Sequence, residues 1–284
     1  MAPGNGLDRK MNGGASLRAL RRAAGLTLIE LSGRLDDAGI HIDAAHLQRI
    51  ETGQIVRPTA DTLEAILEIG LDAPYRVRRD LLDAYGYRLP WALPTPREVE
   101  ETRQLCANEV STATWPTYFM DYILRIWGWN RYFPRLLGRE PDDPANDRFI
   151  GITHIDIVLN PDLGTSRQIA NAADFAPVML TMFKILTKPH QHELWCLEFV
   201  ERMCRWPGIG ELWSGLPDDA DEVLPDQPVL PVEITVPGIE PVMRFRITPI
   251  TFSPDPRFQI MHLIPFGAAT LRECANWAEE AGER

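Results

Sequence analysis

Between Leu26 and Pro58 the chain reads LTLIELSGRLDDAGIHIDAAHLQRIETGQIVRP. Two short apolar stripes recur there at three- to five-residue spacing. Leu28, Leu31 and Leu35 form the first; Ile42, Leu47 and Ile50 form the second. Asp36-Asp37-Ala38-Gly39 interrupts the pattern between them and Gly53 ends it. The spacing puts each trio on one face of a short helix, so the stretch reads as helix, tight turn, helix. Helices this short do not persist alone. They need flanking helices to close a core, and that requirement shapes the reading of the whole N-terminal third.

Ser16 opens a preceding helix with Leu17 and Leu20 inward and Arg18, Arg21 and Arg22 outward, stopped at Gly25. Thr27 and Glu30 have capping-box spacing, and Asp43 is the N-cap of the third helix. A fourth helix starts near Thr59 or Asp61 with Leu63, Ile66, Leu67 and Ile69 inward; a fifth spans Tyr75–Tyr85. Five short helices with Leu26-Thr27, LQRIETG at 47–53, Pro58 and Leu63 at these positions resemble the lambda repressor/Cro-like (XRE) family of DNA-binding domains over roughly residues 16–72. The chain departs from that family at Leu28, where members carry a Gln that contacts phosphate. It departs again in the turn DDAGIHI, which is about four residues longer than usual.

The resemblance implies double-stranded DNA as partner, with the third helix in the major groove. Leu47 and Ile50 face inward, so Ala44, Ala45, Gln48 and Arg49 lie on the opposite side. Gln48 has the chemistry to pair bidentately with adenine, and the small Ala44 and Ala45 let the helix approach thymine methyls. Arg49 has two readings, a DNA contact or a structural residue paired with Glu51 or a neighbouring acid. Thr27 and Arg57 are further candidate contacts. Arg18, Arg21 and Arg22 are either phosphate contacts or an ordinary solvated face.

Charge limits how such a domain can work. Residues 16–72 hold six Arg against nine acidic residues, and the whole chain carries −11. That balance excludes a protein that coats nucleic acid non-specifically and leaves a local, salt-sensitive patch. Cys106, Cys196, Cys204 and Cys274 are scattered with no CxxC pair, which points to reduced thiols in the cytoplasm. No apolar run approaches a membrane span, and MAPGNGLDRKMNGGAS lacks the apolar segment of a secretory signal. A soluble cytoplasmic protein with a floppy N-terminal arm and no membrane partner is expected.

Pro90, Pro94 and Pro96 fall within seven residues, which no helix can cross. The expected division is therefore an arm over 1–15, a helical domain over 16–88, a joint over 89–97 and a second domain over 98–284. At 284 residues and 45% hydrophobic content, two cores are affordable. The second domain opens with a helix over Arg97–Val110, with Val99, Thr102 and Leu105 inward. Two strands follow over 114–121 and 123–130, where Leu124, Ile126 and Gly128 alternate with Ile123, Arg125, Trp127 and Trp129. Asn130 caps a helix in RYFPRLLG. Helices over Ala176–Leu186 and His192–Arg205 come next, the latter burying Leu194, Trp195, Phe199 and Met203. An acidic loop at 217–228 precedes strands at 229–236, 241–252 and 258–265 and a last helix at 270–280. The expected class is α+β: an N-terminal all-α five-helix domain, then a five-stranded antiparallel sheet with flanking helices.

The order strand, turn, strand, Trp129-Asn130, helix resembles a PAS domain. The order helix-turn-helix, Pro-containing joint, PAS is similar to that of MmyB-like transcription regulators. The resemblance implies a ligand-responsive regulator with no required cofactor, a cavity for a small apolar molecule such as a long-chain fatty acid, and a homodimer on a palindromic operator. Candidate cavity residues are Trp115, Tyr118, Trp127, Trp129, Asn130, Phe133, Met182, Phe183, Leu186, Trp195 and Phe199, although the same Met and aromatic spacing also describes an ordinary core. His190-Gln-His192-Glu193 lacks metalloprotease spacing and a Cys partner, so it reads as an exposed helix start rather than a metal site. There is no GxSxG and no phosphate-binding Gly loop, so no enzyme is expected. Two other readings stay open: a helix-turn-helix that binds protein, and a sensor holding haem or metal through His154 or His192.

Overall fold

A computed structural model describes residues 13–217 and 231–282 and divides the chain into two compact units that part between Leu93 and Pro94. Residues 1–12 of the expected arm, and 218–228 of the expected acidic loop, lie outside the described residues. Ser16 does not open the first helix. Gly13–Ala23 (α1) starts three residues earlier, and the two leading glycines are buried. A Cβ at Gly14 would sit 2.4 Å from the Ile50 carbonyl oxygen, so the bare backbone is what lets this end of α1 lie against the third helix.

In the first unit, α1 is followed by Leu28–Asp37 (α2), Ala44–Glu51 (α3), Ala60–Glu64 (α4) and Tyr75–Ala84 (α5). Helix α4 runs on as a π-helical turn over Ala65–Gly70. Thr27 and Glu30 form the capping box of α2; Asp43 and Thr59 cap α3 and α4 through their side chains. These caps satisfy helix-end N–H groups that otherwise have no partner. Leu17, Leu31, Leu35, Leu47, Ile50, Ile66 and Leu67 meet in one core. Ile69, expected inward, is 45% exposed. Gly70 takes the inward place three residues after Leu67, where a Cβ would stand 2.5 Å from Leu31 Cδ1.

The second unit is a five-stranded antiparallel sheet between one long helix and a block of shorter ones. Pro96–Thr112 (α6) begins with a Thr95–Glu98 capping box and Pro at its first position. The strands are Thr117–Asp121 (β1), Ile126–Trp129 (β2), Val232–Ile234 (β3), Met243–Thr251 (β4) and Phe258–Pro265 (β5), in the order β2-β1-β5-β4-β3. Phe133–Leu136 (α7), His154–Leu159 (α8), Ala172–Thr187 (α9), Leu194–Cys204 (α10) and Ile209–Gly215 (α11) lie in sequence between β2 and β3, and Ala268–Gly282 (α12) follows β5. One sheet face carries Tyr118, Met120, Phe245, Met261 and Leu263 against these helices. The other carries Phe119, Phe258 and Ile260 against Val99, Cys106 and Val110 of α6.

Three expectations of inward side chains fail here. The buried stripe of α6 is Val99, Thr102, Cys106 and Val110, and Leu105 is 64% exposed. The stripe steps by four after Thr102, so Cys106 takes the place assigned to Leu105. Leu194, the first residue of α10, is likewise mostly exposed, and Trp195 is only half-buried. Helix α9 begins a full turn before Ala176, with Pro177 inside it. The alternation in β2 also breaks. The β1–β2 register shifts between Phe119 and Met120, leaving Trp127 as an extra residue in β2. Trp127 then packs with the α6-side cluster, while Trp129 packs with the opposite core. A bulge of one residue reverses which face the following side chains meet.

Candidate nucleic-acid interface and cavity

Helix α3 presents Ala45, Gln48 and Arg49 as exposed side chains, with Ala44 half-buried at its start. The outward set is what inward Leu47 and Ile50 dictate. The helix is held from behind by Glu51, which is only 4% exposed. Arg21 of α1, 8% exposed, donates from Nε and Nη2 to the two Glu51 carboxylate oxygens at 2.6 and 2.8 Å. Its Nη1 donates to the Leu26 carbonyl at 2.6 Å. Hydrogen bonding to Glu51 raises the Arg21 pKa above its ordinary value. Arg21 is therefore not a solvated phosphate contact, and Glu51 does not pair with Arg49. The side chain of Arg49 is left free to meet a partner. Arg18 lies 3.4 Å from Glu51 and completes the cluster.

Thr27 is occupied as a cap: its hydroxyl accepts from Glu30 N at 3.2 Å, and its own N–H donates to the Glu30 carboxylate at 2.7 Å. The Thr27 N–H first, and then the Thr27 hydroxyl, hold the Glu30 carboxyl below its usual pKa. A carboxylate thus already sits at the α2 N-terminus, where an anion would otherwise be welcome. Arg57 is exposed, with its guanidinium over the Tyr87 ring at 5.1 Å. The turn before α3 is fixed by Ser32, whose hydroxyl donates to the Ile42 carbonyl at 2.7 Å, and by His41 Nδ1 at 2.5 Å from Asp36. Two exposed apolar side chains escaped the periodicity reading: Ile29, 77% exposed, and Val56, 80% exposed.

The aromatic residues assigned to one cavity are dispersed. Tyr118 and Phe133 line a cavity on the helix-covered face of the sheet, with ring centroids 5.0 Å apart. Trp129 packs at a tilt against Phe133, ring centroids 5.8 Å apart, without lining the cavity. Phe183 is buried against Phe199 and Trp213, Leu186 packs on the same core, and Met182 is 43% exposed. Trp115 is half-buried, edge-on to His262. Trp127 donates from Nε1 to Asp121 at 3.0 Å. Asn130 serves the backbone: its Oδ1 accepts from Thr117 N and Tyr132 N, and its Nδ2 donates to the Ala113 and Trp115 carbonyls.

The remaining cavity wall comes from residues that no pattern singled out. Thr153 and Asp156 form a capping box that sets His154 at the first position of α8. The Tyr118 hydroxyl lies 3.2 Å from His154 Nδ1. Burial pushes the His154 pKa down to about 4, so the ring is neutral at physiological pH. Thr165 donates to the Ile157 carbonyl at 2.5 Å. Gln168 lies in a segment pinned to β3: its carbonyl accepts from Thr235 N at 2.7 Å and Ile169 bridges Ile234. The cavity holds about 30 Å³, which suits about two waters.

His190 is buried, contrary to an exposed helix start. Its Nε2 lies 2.9 Å from the Tyr122 hydroxyl and its Nδ1 2.5 Å from Glu193, which also accepts from Trp195 Nε1 at 2.6 Å. Among the described residues no group of three His, Cys, Asp or Glu side chains is placed to hold a metal ion, and no helix is long and apolar enough to cross a membrane. All four cysteines are unpaired. Burial pushes Cys106 up to about 11 and Cys274 up to about 12, which keeps both thiols protonated and inert at neutral pH.

Residues 14–84 match the model of a helix-turn-helix domain family, a match that lies wholly within the first unit. The chain thus carries a helix-turn-helix domain, the class of module with which transcription regulators bind DNA. No curated protein matches the chain.

Proposed function

We propose that the chain is a one-component transcription regulator of the MmyB-like kind, acting in the cytoplasm as a homodimer on a palindromic operator and binding rather than catalysing. The exposed face Ala45, Gln48 and Arg49, braced by the buried Arg21–Glu51 fork, is the observation that carries this reading. A rigid helix with small and amide side chains outward suits a major groove. In the second unit, a five-stranded antiparallel sheet with helices inserted between its second and third strands is what a PAS resemblance implies, and an apolar cavity on its inner face supports ligand sensing. A ligand shifts DNA affinity only by its difference in affinity for two conformations.

Fluorescence anisotropy with a labelled duplex from upstream of the protein's own coding sequence tests the reading. Saturable binding at low salt that weakens steeply from about 50 to 200 mM salt is expected. Absence of saturable binding at low salt refutes it. A protein-binding helix-turn-helix is the second reading. It is favoured by the Glu30 carboxylate at the α2 N-terminus and by exposed Ile29 and Val56. The same titration separates the two.

A further inference from the structure

We propose that the cavity takes a small, neutral molecule with a hydroxyl head on a compact apolar body, and not a carboxylate. The inference rests on the ligand-sensing reading and narrows its chemistry.

None of the fourteen lining residues is Arg, Lys, Asp or Glu. A carboxylate drawn into this space would leave water without meeting a positive charge. His154 cannot supply one, because its buried ring stays neutral at physiological pH. The polar groups on offer are neutral and both donate and accept. The Tyr118 hydroxyl lies 3.2 Å from His154 Nδ1 and 3.4 Å from Nε2; the hydroxyl and the neutral ring carry one proton each, and since their own bond uses one, the pair keeps a second to donate.

Gln168 supplies the clearest demand. Its backbone is tied to β3, but its side-chain Oε1 is buried with no hydrogen-bond partner. A buried acceptor without a donor is costly and rare in folded proteins, and calls for a water or a ligand group. Thr165 is not that donor, since its hydroxyl already serves the Ile157 carbonyl. A hydroxyl donates to Gln168 and accepts from the Tyr118–His154 pair, whereas a carboxylate at neutral pH only accepts. The rest of the wall is apolar, including Phe133, Ile157, Val232 and Leu263. The cavity holds about 30 Å³, about two waters, so the body must be about two or three carbons, well short of a long acyl chain.

The test uses the full chain and saturation-transfer NMR. One series is ethanol through n-hexanol; the other is acetate through hexanoate at neutral pH. The alcohols are expected to bind at least about tenfold more tightly than the acids of equal length, the shorter members best. Gln168→Leu is expected to abolish that preference while leaving far-UV circular dichroism unchanged. Since the head-group comparison needs only the wild-type protein, a Gln168→Leu variant that fails to fold does not spare the inference. Acids binding as well as or better than alcohols overturn it and leave ligand sensing standing. No binding by either series, together with no effect of either on DNA affinity, overturns both.

Discussion

Replacing Glu51 with Gln removes the charge around which Arg21 is buried while keeping the shape of the side chain. In the native fold two charge-assisted bonds, at 2.6 and 2.8 Å, join α1 to α3 where the partners are 8% and 4% exposed. The variant keeps one neutral acceptor and turns a donor toward the guanidinium. Losing one partner of a buried pair costs about 3–5 kcal/mol. Arg21 retains its bond to the Leu26 carbonyl, and half-buried Arg18, 3.4 Å from Glu51, is the looser partner. Both considerations place the loss at the low end, about 3 kcal/mol. For a unit of this size that is a fall in Tm of about 12–24 °C. Urea unfolding followed by far-UV circular dichroism reads it. Seven of the eight Trp residues belong to the second unit, with Trp91 alone in the first. Trp fluorescence should therefore report a largely unchanged second transition. The double variant Arg21→Met, Glu51→Met should recover most of the loss, because both charges leave together. A Glu51→Gln loss under about 1 kcal/mol, or single-variant losses that simply add in the double, would refute the reasoning.

Gly70→Ala should destabilise the first unit by about 1–3 kcal/mol, although Ala is the better helix former, because the new methyl meets buried Leu31; a raised Tm by circular dichroism would contradict this. His154 keeps its ring neutral down to about pH 4, against 6.5 when unfolded. Its contribution, at most about 3 kcal/mol, is full above pH 6.5 and is lost as pH falls toward 4, where the unfolded chain alone gains the proton. Urea titrations by Trp fluorescence should show that slope in the wild type and a flatter one in His154→Gln; equal slopes would place its source elsewhere. Gln48→Ala should weaken specific DNA binding by about 1–3 kcal/mol without altering stability, since the side chain is exposed. Equal weakening on all sequences, read by competition with random duplex, would mark Gln48 as a backbone contact instead.

The helices of the first unit were legible because their causes are local. Thr27 and Glu30, or Asp43 and His46, are three residues apart and cap wherever the chain lies. Leu47 and Ile50 fix the outward face of α3 by helical period alone. The partner of Glu51 was not legible, since Arg21 stands 30 residues away and only the approach of α1 to α3 makes the pair. The cavity was less legible still. Gln168 and Thr165 lie in short turns with no period to read, and they meet Tyr118 only because the segment bridges onto β3.

The five strands, the helices and caps of the first unit, and the order of a helical region before the sheet are thus written in neighbouring residues, where side-chain spacing and backbone hydrogen bonding act over a few positions; α8, α11 and the start of α7, which Asn130 does not cap, were not. Tertiary structure alone decided which charges are buried, that one bulge at Trp127 sends it and Trp129 to opposite faces, and that Leu105 and Leu194 stay in solvent. Those outcomes depend on register and on which face a distant element covers, and neither is encoded in the local period of the chain.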